Sequence, residues 1–179
     1  MTADEVVRAL RSRHPDLGGE WLTYAECFRI DFFAMHAWPS RKHVRVGYEI
    51  KVSRGDFLSE IRKPGKRMNA VDLCNEFYFA TPAKLVHADE IPDDCGLVIV
   101  MESGRTKVVK RAPRTEARSF TDSEIVSLAR FQLYRDGIEQ MAHEVSMLRY
   151  TQRRAERDRL LQGDSAQYEW LVSRRRREG

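Results

Sequence analysis

From Val44 to Val52 every second residue is apolar (Val44, Val46, Tyr48, Ile50 and Val52), the period of a β-strand with one buried face. Two aromatic-rich runs precede it, Trp21 to Cys27 and Arg29 to Trp38. They read as two more strands, the second broken by Trp38-Pro39-Ser40-Arg41. Ahead of them, Val6, Val7 and Leu10 share one side of a short helix from Ala3 to Arg13, which His14-Pro15 ends. Asp16-Leu17-Gly18-Gly19 is a turn signal. After the third strand, Asp56 is a candidate cap for a helix turning Phe57, Leu58 and Ile61 inward. Pro64-Gly65 interrupts that helix, and the pattern resumes from Lys66 to Cys74. Glu76 to Thr81 is a compact aromatic strand ended by Pro82. Leu97 to Met101 is a continuous apolar run, as in a strand buried on both faces, and Thr106 to Arg111 is its expected hairpin partner.

From Thr121 the texture changes. Thr121-Asp122-Ser123-Glu124 fits a capping box, and Ile125, Leu128, Ile138, Met141, Val145 and Leu148 recur at helical spacing. Gly137 is a candidate kink or break in this long helix. The polar, basic stretch Arg111 to Ser119, with Pro113 inside it, marks the internal boundary: a domain at 1–112 and a helical extension with a basic tail at 113–179. The apolar stripe of that extension suits assembly into homo-oligomers, contact with another partner, or folding back over the sheet.

A chain of 179 residues holds one well-cored domain plus an appendage, not two full enzyme domains. Its 42% hydrophobic content is that of a globular protein. No apolar stretch has membrane-spanning length and the N-terminus lacks the apolar core of a signal peptide, so no membrane partner is expected. Cys27, Cys74 and Cys95 have neither zinc spacing nor a disulfide framework, and a reducing cytoplasm is the simplest setting. A net charge of +4 permits a polyanionic partner without requiring one. The basic residues concentrate in two places. Arg54, Arg62, Lys63, Lys66 and Arg67 follow the third strand, and Arg153, Arg154, Arg157, Arg159 and Arg174 to Arg177 lie in the C-terminal arm, where a solvated helix and frayed tail explain them as well.

The alternation that buries Tyr48 and Ile50 sends Arg45, Gly47, Glu49 and Lys51 to the opposite face. A carboxylate beside an ammonium, with Asp31 on the preceding strand, suits a divalent metal and a water directed at a phosphodiester. A Glu-x-Lys arises by chance roughly 0.6 times in a chain of this composition, and ordinary charges on a solvated strand face have the same pattern. The tripeptide alone therefore decides nothing.

The wider context is more specific. Asp31 precedes Glu49 by 18 positions (49 − 31), enough to finish one strand, turn at Pro39 to Lys42 and return antiparallel. The order helix, three strands, helix and further strands resembles the core of the PD-(D/E)xK nuclease superfamily. Arg29-Ile30-Asp31, Tyr48 to Phe57, Phe77 to Pro82 and Ile91 to Leu97 resemble its MmcB-like DNA repair branch and related phage-encoded proteins. The likeness spans about Trp21 to Val100 and leaves out the helical arm. It implies an α/β, restriction-endonuclease-like core with a central mixed β-sheet flanked by helices, here with the C-terminal helical arm added. It also implies a metal-dependent nuclease acting on DNA in repair, recombination or phage DNA processing. The superfamily contains inactive members too, so a non-catalytic nucleic-acid-binding or adaptor protein is the alternative.

The resemblance assigns Asp31, Glu49 and Lys51 as catalytic residues. Mg²⁺ or Mn²⁺ would be held by Asp31, Glu49 and the Ile50 main-chain carbonyl, consistent with a hard cation that takes one or two carboxylates and keeps its waters. Lys51 would orient the attacking water or steady developing negative charge. Glu26, five positions before Asp31, is the first choice for an added acidic ligand, ahead of Glu20 and Glu5. Arg54, Lys63, Lys66 and Arg67 are the candidate contacts to the DNA backbone, and a solvated helical face is the other meaning of the last three. His36, His43, His87 and His143 show no metal-ligand spacing. Trp21, Phe32, Phe33, Tyr78 and Phe79 read as core rather than base-stacking platforms.

Overall fold

The computed structural model describes residues 1–15, 19–63 and 65–175; the side chains of Lys66, of several residues between 136 and 155 and of residues from 158 onward lie outside that description. The turn expected at 16–18 and the tail at 176–179 fall outside the described residues. Two compact units are present, Met1–Ile125 and Val126–Gly179.

In the first unit, helix α1 (Ala3–Arg13) starts in a reciprocal capping box between Thr2 and Glu5 and buries Val6, Ala9 and Leu10. Strands β1 (Trp21–Cys27), β2 (Ile30–His36) and β3 (Arg45–Ile50) follow as an antiparallel meander. Helices α2 (Arg54–Ile61) and α3 (Gly65–Leu73) then carry the chain over to β4 (Glu76–Pro82), which pairs parallel with β3. Strand β5 (Gly96–Val100) adds parallel to β4, and β6 (Thr106–Lys110) closes the sheet antiparallel. The result is an α/β fold with a six-stranded mixed sheet in the order β1-β2-β3-β4-β5-β6.

Both faces of the sheet are covered, which is why the run in β5 is apolar throughout. On one face Val6 and Leu10 of α1 meet Phe32, Ala34, Val46, Tyr48, Ile50, Tyr78 and Val98. His14 caps α1 on this side, and its Nε2 lies 2.7 Å from the Tyr48 hydroxyl. Burial pulls the His14 imidazole down to about 4 and pushes the Tyr48 phenol up, so both are neutral at physiological pH. On the opposite face Phe79 receives Phe57 of α2 and the Arg67 guanidinium of α3. The aromatic residues expected in the core are there: Phe32, Phe33, Tyr78 and Phe79 are buried and Trp21 is half-buried.

Several expectations shift. Ser53, not Asp56, caps α2, its hydroxyl accepting from the Asp56 N–H and leaving the Asp56 carboxylate unused by the cap. The solvent face expected opposite Tyr48 and Ile50 is covered instead: Gly47 and Lys51 are buried and Glu49 is half-buried. The division between units falls after Ile125 rather than at 112/113. The intervening segment is tied to the first unit by Thr115 N–H donating to the Asn75 carbonyl and Arg118 N–H to that of Asp72. Helix α4 (Asp122–Arg175) is continuous through Gly137. One glycine costs on the order of 1 kcal/mol relative to Ala, too little to break a helix of 54 residues. No helix among the described residues is long and apolar enough to cross a membrane.

Candidate active site

The β1–β2 turn is built from left-handed residues. Glu26, Phe28 and Arg29 have φ of 53°, 56° and 62°, and Cys27 pairs with Ile30 between them. None is glycine, so each costs on the order of 1–2 kcal/mol. The turn delivers Asp31 as the second residue of β2. Phe32 is in register with Tyr48, so Asp31 and Glu49, one step on, share the face covered by α2 and α3. The Asp31 carboxylate reaches across: its Oδ2 accepts from the Ile50 N–H at 2.7 Å.

The Lys51 side chain follows on the same face with 6% of the residue exposed. Its Nζ donates to Glu49 Oε1 at 2.7 Å and lies 3.5 Å from Glu60 Oε2 and 3.7 Å from Asp56 Oδ2. Asp56 and Glu60 are four apart on α2, so one turn of helix brings both over the strand end. Three carboxylates (Glu49, Asp56, Glu60) thus lie against a single ammonium, and a fourth, Asp31, is near enough for the Lys51 charge to act on it. Burial alone would lower the Lys51 pKa, yet the Glu49 hydrogen bond and the charges of Glu49, Asp56 and Glu60 outweigh it and raise it. Asp31 and Glu49 move the other way from what lone paired acids would do. Burial lifts the Asp31 carboxyl above its ordinary range despite the Ile50 N–H, and burial together with the Asp31 charge lifts that of Glu49.

These groups fit a hard divalent cation through their charge. The carboxylates exceed the ammonium by three, and burial, with the neighbouring acid charges adding to it, holds Asp31 and Glu49 above their ordinary pKa, a cost that a bound cation would relieve. Among the described residues, no group of three or more His, Cys, Asp or Glu side chains is placed to hold a metal ion. Mg²⁺, which uses one or two carboxylates and keeps waters, does not require one.

The sequence-derived residues divide. Asp31, Glu49 and Lys51 come together. Glu26 is exposed at its left-handed position, close enough for its charge to raise the Asp31 pKa. Arg54 does not stand free for phosphate: its guanidinium is engaged bidentately by Glu90, which the Ala88–Glu90 turn holds in place. Arg67 is buried rather than lining a surface. It lies 5.7 Å from the Phe79 ring centroid and 3.7 Å from Asp94, with Nε and Nη1 unpartnered. Its long stem turns inward because α3 packs on β4 at that point. Lys63 is exposed between the helices, and the Lys66 side chain falls outside the described residues. Glu60 was not singled out from sequence. The usable signal was its i, i+4 spacing from Asp56 directly after the Glu-x-Lys strand.

No protein-family model and no curated protein matches the chain. One solved structure does. It is the SPO1766 protein of unknown function from Silicibacter pomeroyi, 19% identical, with a TM-score of 0.52 over 78% of this chain and 86% of that one. At that identity the likeness concerns the fold alone.

Proposed function

We propose that this protein is a metal-dependent nuclease that hydrolyses phosphodiester bonds of DNA, in repair, recombination or phage DNA processing. The observation that carries the reading is the convergence of Asp31, Glu49 and Lys51 at the ends of two adjacent strands, the set expected from the resemblance to PD-(D/E)xK nucleases. Asp31 and Glu49, with the Ile50 carbonyl, would hold Mg²⁺ or Mn²⁺. When bound, the ion supplies acidification of a water and neutralises charge on the phosphate.

The chain's own residues do the rest. Asp31, fixed by the Ile50 N–H, holds its carboxylate against the strand that carries Glu49. Lys51, charged and donating to Glu49, would orient the attacking water or stabilise the negative charge that develops on phosphorus oxygens. Asp56 and Glu60 keep that ammonium in place.

The test separates binding from turnover. Lys51→Ala should retain Mn²⁺ binding by titration calorimetry while losing DNA cleavage. Cleavage at wild-type rate in that variant would remove Lys51 from the mechanism.

A further inference from the structure

We propose that residues 131–152 of α4 form a parallel, two-stranded coiled coil with the same segment of a second copy of this chain. The apolar residues of the second unit do not merely follow a helical period. Phe131, Tyr134, Ile138, Met141, Val145 and Leu148 are spaced 3, 4, 3, 4 and 3 apart, the a/d alternation of a heptad sustained for three repeats. That 3.5-residue period is the one that keeps a stripe facing another helix along its whole length.

Five consecutive members of the stripe, Tyr134 to Leu148, are between 43% and 73% exposed. Covering them takes on the order of 100 Å² from each, or roughly 1,000 Å² across two chains, which reaches the size of a specific interface. A second copy supplies an identical stripe in matching register, as a two-fold requires.

The core residues choose the geometry. Ile138 and Val145 are β-branched at a, and Met141 and Leu148 are unbranched at Cβ at d, the arrangement that favours two parallel strands. Gln152 follows at the next a position, where a polar residue fixes register. Beside the seam, Glu144 at g faces Arg149 at e of the other copy in a parallel dimer. Both are exposed, and neither is in an ion pair of its own chain among the described residues. One heptad earlier the equivalent positions are Gly137 and Ala142, and two heptads earlier Arg130 and Arg135 bring like charge, so the attraction is concentrated in the C-terminal half of the seam.

Sedimentation equilibrium on the full-length protein at tens of micromolar tests this. The expected mass is twice the 20.9 kDa of the chain. Val145→Glu, at the seam, should give the monomer. Met147→Glu, equally exposed at a c position off the seam, should remain dimeric. Glu144→Arg should weaken the dimer about tenfold, and adding Arg149→Glu should restore it, with far-UV circular dichroism checking that α4 stays helical throughout. A monomeric wild type, a higher oligomer, or equal dissociation by Val145→Glu and Met147→Glu would overturn the proposal. Failure of the charge reversal to rescue would overturn its parallel register.

Discussion

The Asp31 carboxylate of β2 accepts the main-chain N–H of Ile50 at 2.7 Å, so it is anchored to the peptide that lies between Glu49 and Lys51. A charged side chain from one strand is thereby locked to the backbone carrying the other two groups of the site. Asp31→Asn retains an acceptor oxygen for that N–H and removes the charge. It should abolish metal-dependent cleavage and weaken Mn²⁺ binding at least tenfold, with the fold intact by circular dichroism.

The pH dependence of stability follows from the same carboxylate. Burial holds Asp31 above its ordinary 3.8 in the folded protein, so between that value and the raised one the folded state keeps a proton that the unfolded state has released. Stability therefore falls as pH rises through that window, and the full cost persists above it. Without divalent metal, Asp31→Asn should melt above the wild type at pH 7, and the gap should close as pH falls toward 4. Added Mn²⁺ should raise the wild-type melting temperature more at pH 7 than at pH 5. A wild type melting above Asp31→Asn at pH 7 in EDTA would contradict this.

Among the described residues, Lys51 is the one cation paired with Glu49, Asp56 and Glu60. Removing a buried partner leaves charges uncompensated, typically at a cost of about 3 kcal/mol. Lys51→Ala should lower stability by that order at neutral pH, and urea unfolding at pH 5 should show a smaller deficit because Glu49, whose pKa burial already raises, can then take up a proton.

Gly47 is a packing requirement of the site's strand. A Cβ there would come within 2.7 Å of Cys74 Sγ and of the Phe77 ring, both in the covered layer behind Glu49. Gly47→Ala should destabilise by about 1–3 kcal/mol, the usual cost of overpacking, measured by chemical denaturation.

Arg67 carries the opposite expectation from a DNA contact. Its guanidinium is buried with two nitrogens unpartnered, so Arg67→Met should leave cleavage within about twofold. It should leave stability unchanged or raise it by about 1 kcal/mol. A large loss of DNA affinity would return Arg67 to the binding surface.

Much of the fold was legible because period decides it. The alternation through Val46, Tyr48 and Ile50 and the unbroken run in β5 specified strands, and Asp31 and Glu49 fell on one face by parity. What period does not carry is what covers the second face. The charges of Glu49 and Lys51 look solvated in the sequence, and α2 and α3 make them a half-buried cluster. Arg54 and Arg67 look like free cations for the same reason; Glu90 and Asp94, 36 and 27 positions on, are invisible to local pattern. Ser53 and Asp56 compete for one cap, and only the backbone geometry decides that the hydroxyl takes it and the carboxylate turns toward Lys51.

The most direct measurement is cleavage of closed circles. Purified full-length protein and Glu49→Ala are incubated with circular single-stranded DNA and with supercoiled plasmid, in Mg²⁺, Mn²⁺ or EDTA. The account predicts cutting that requires metal and disappears in Glu49→Ala, on these circles or on labelled linear strands. Intact DNA in every form and with either metal, while the protein still binds it, would contradict the nuclease and leave a nucleic-acid-binding protein built on the same sheet.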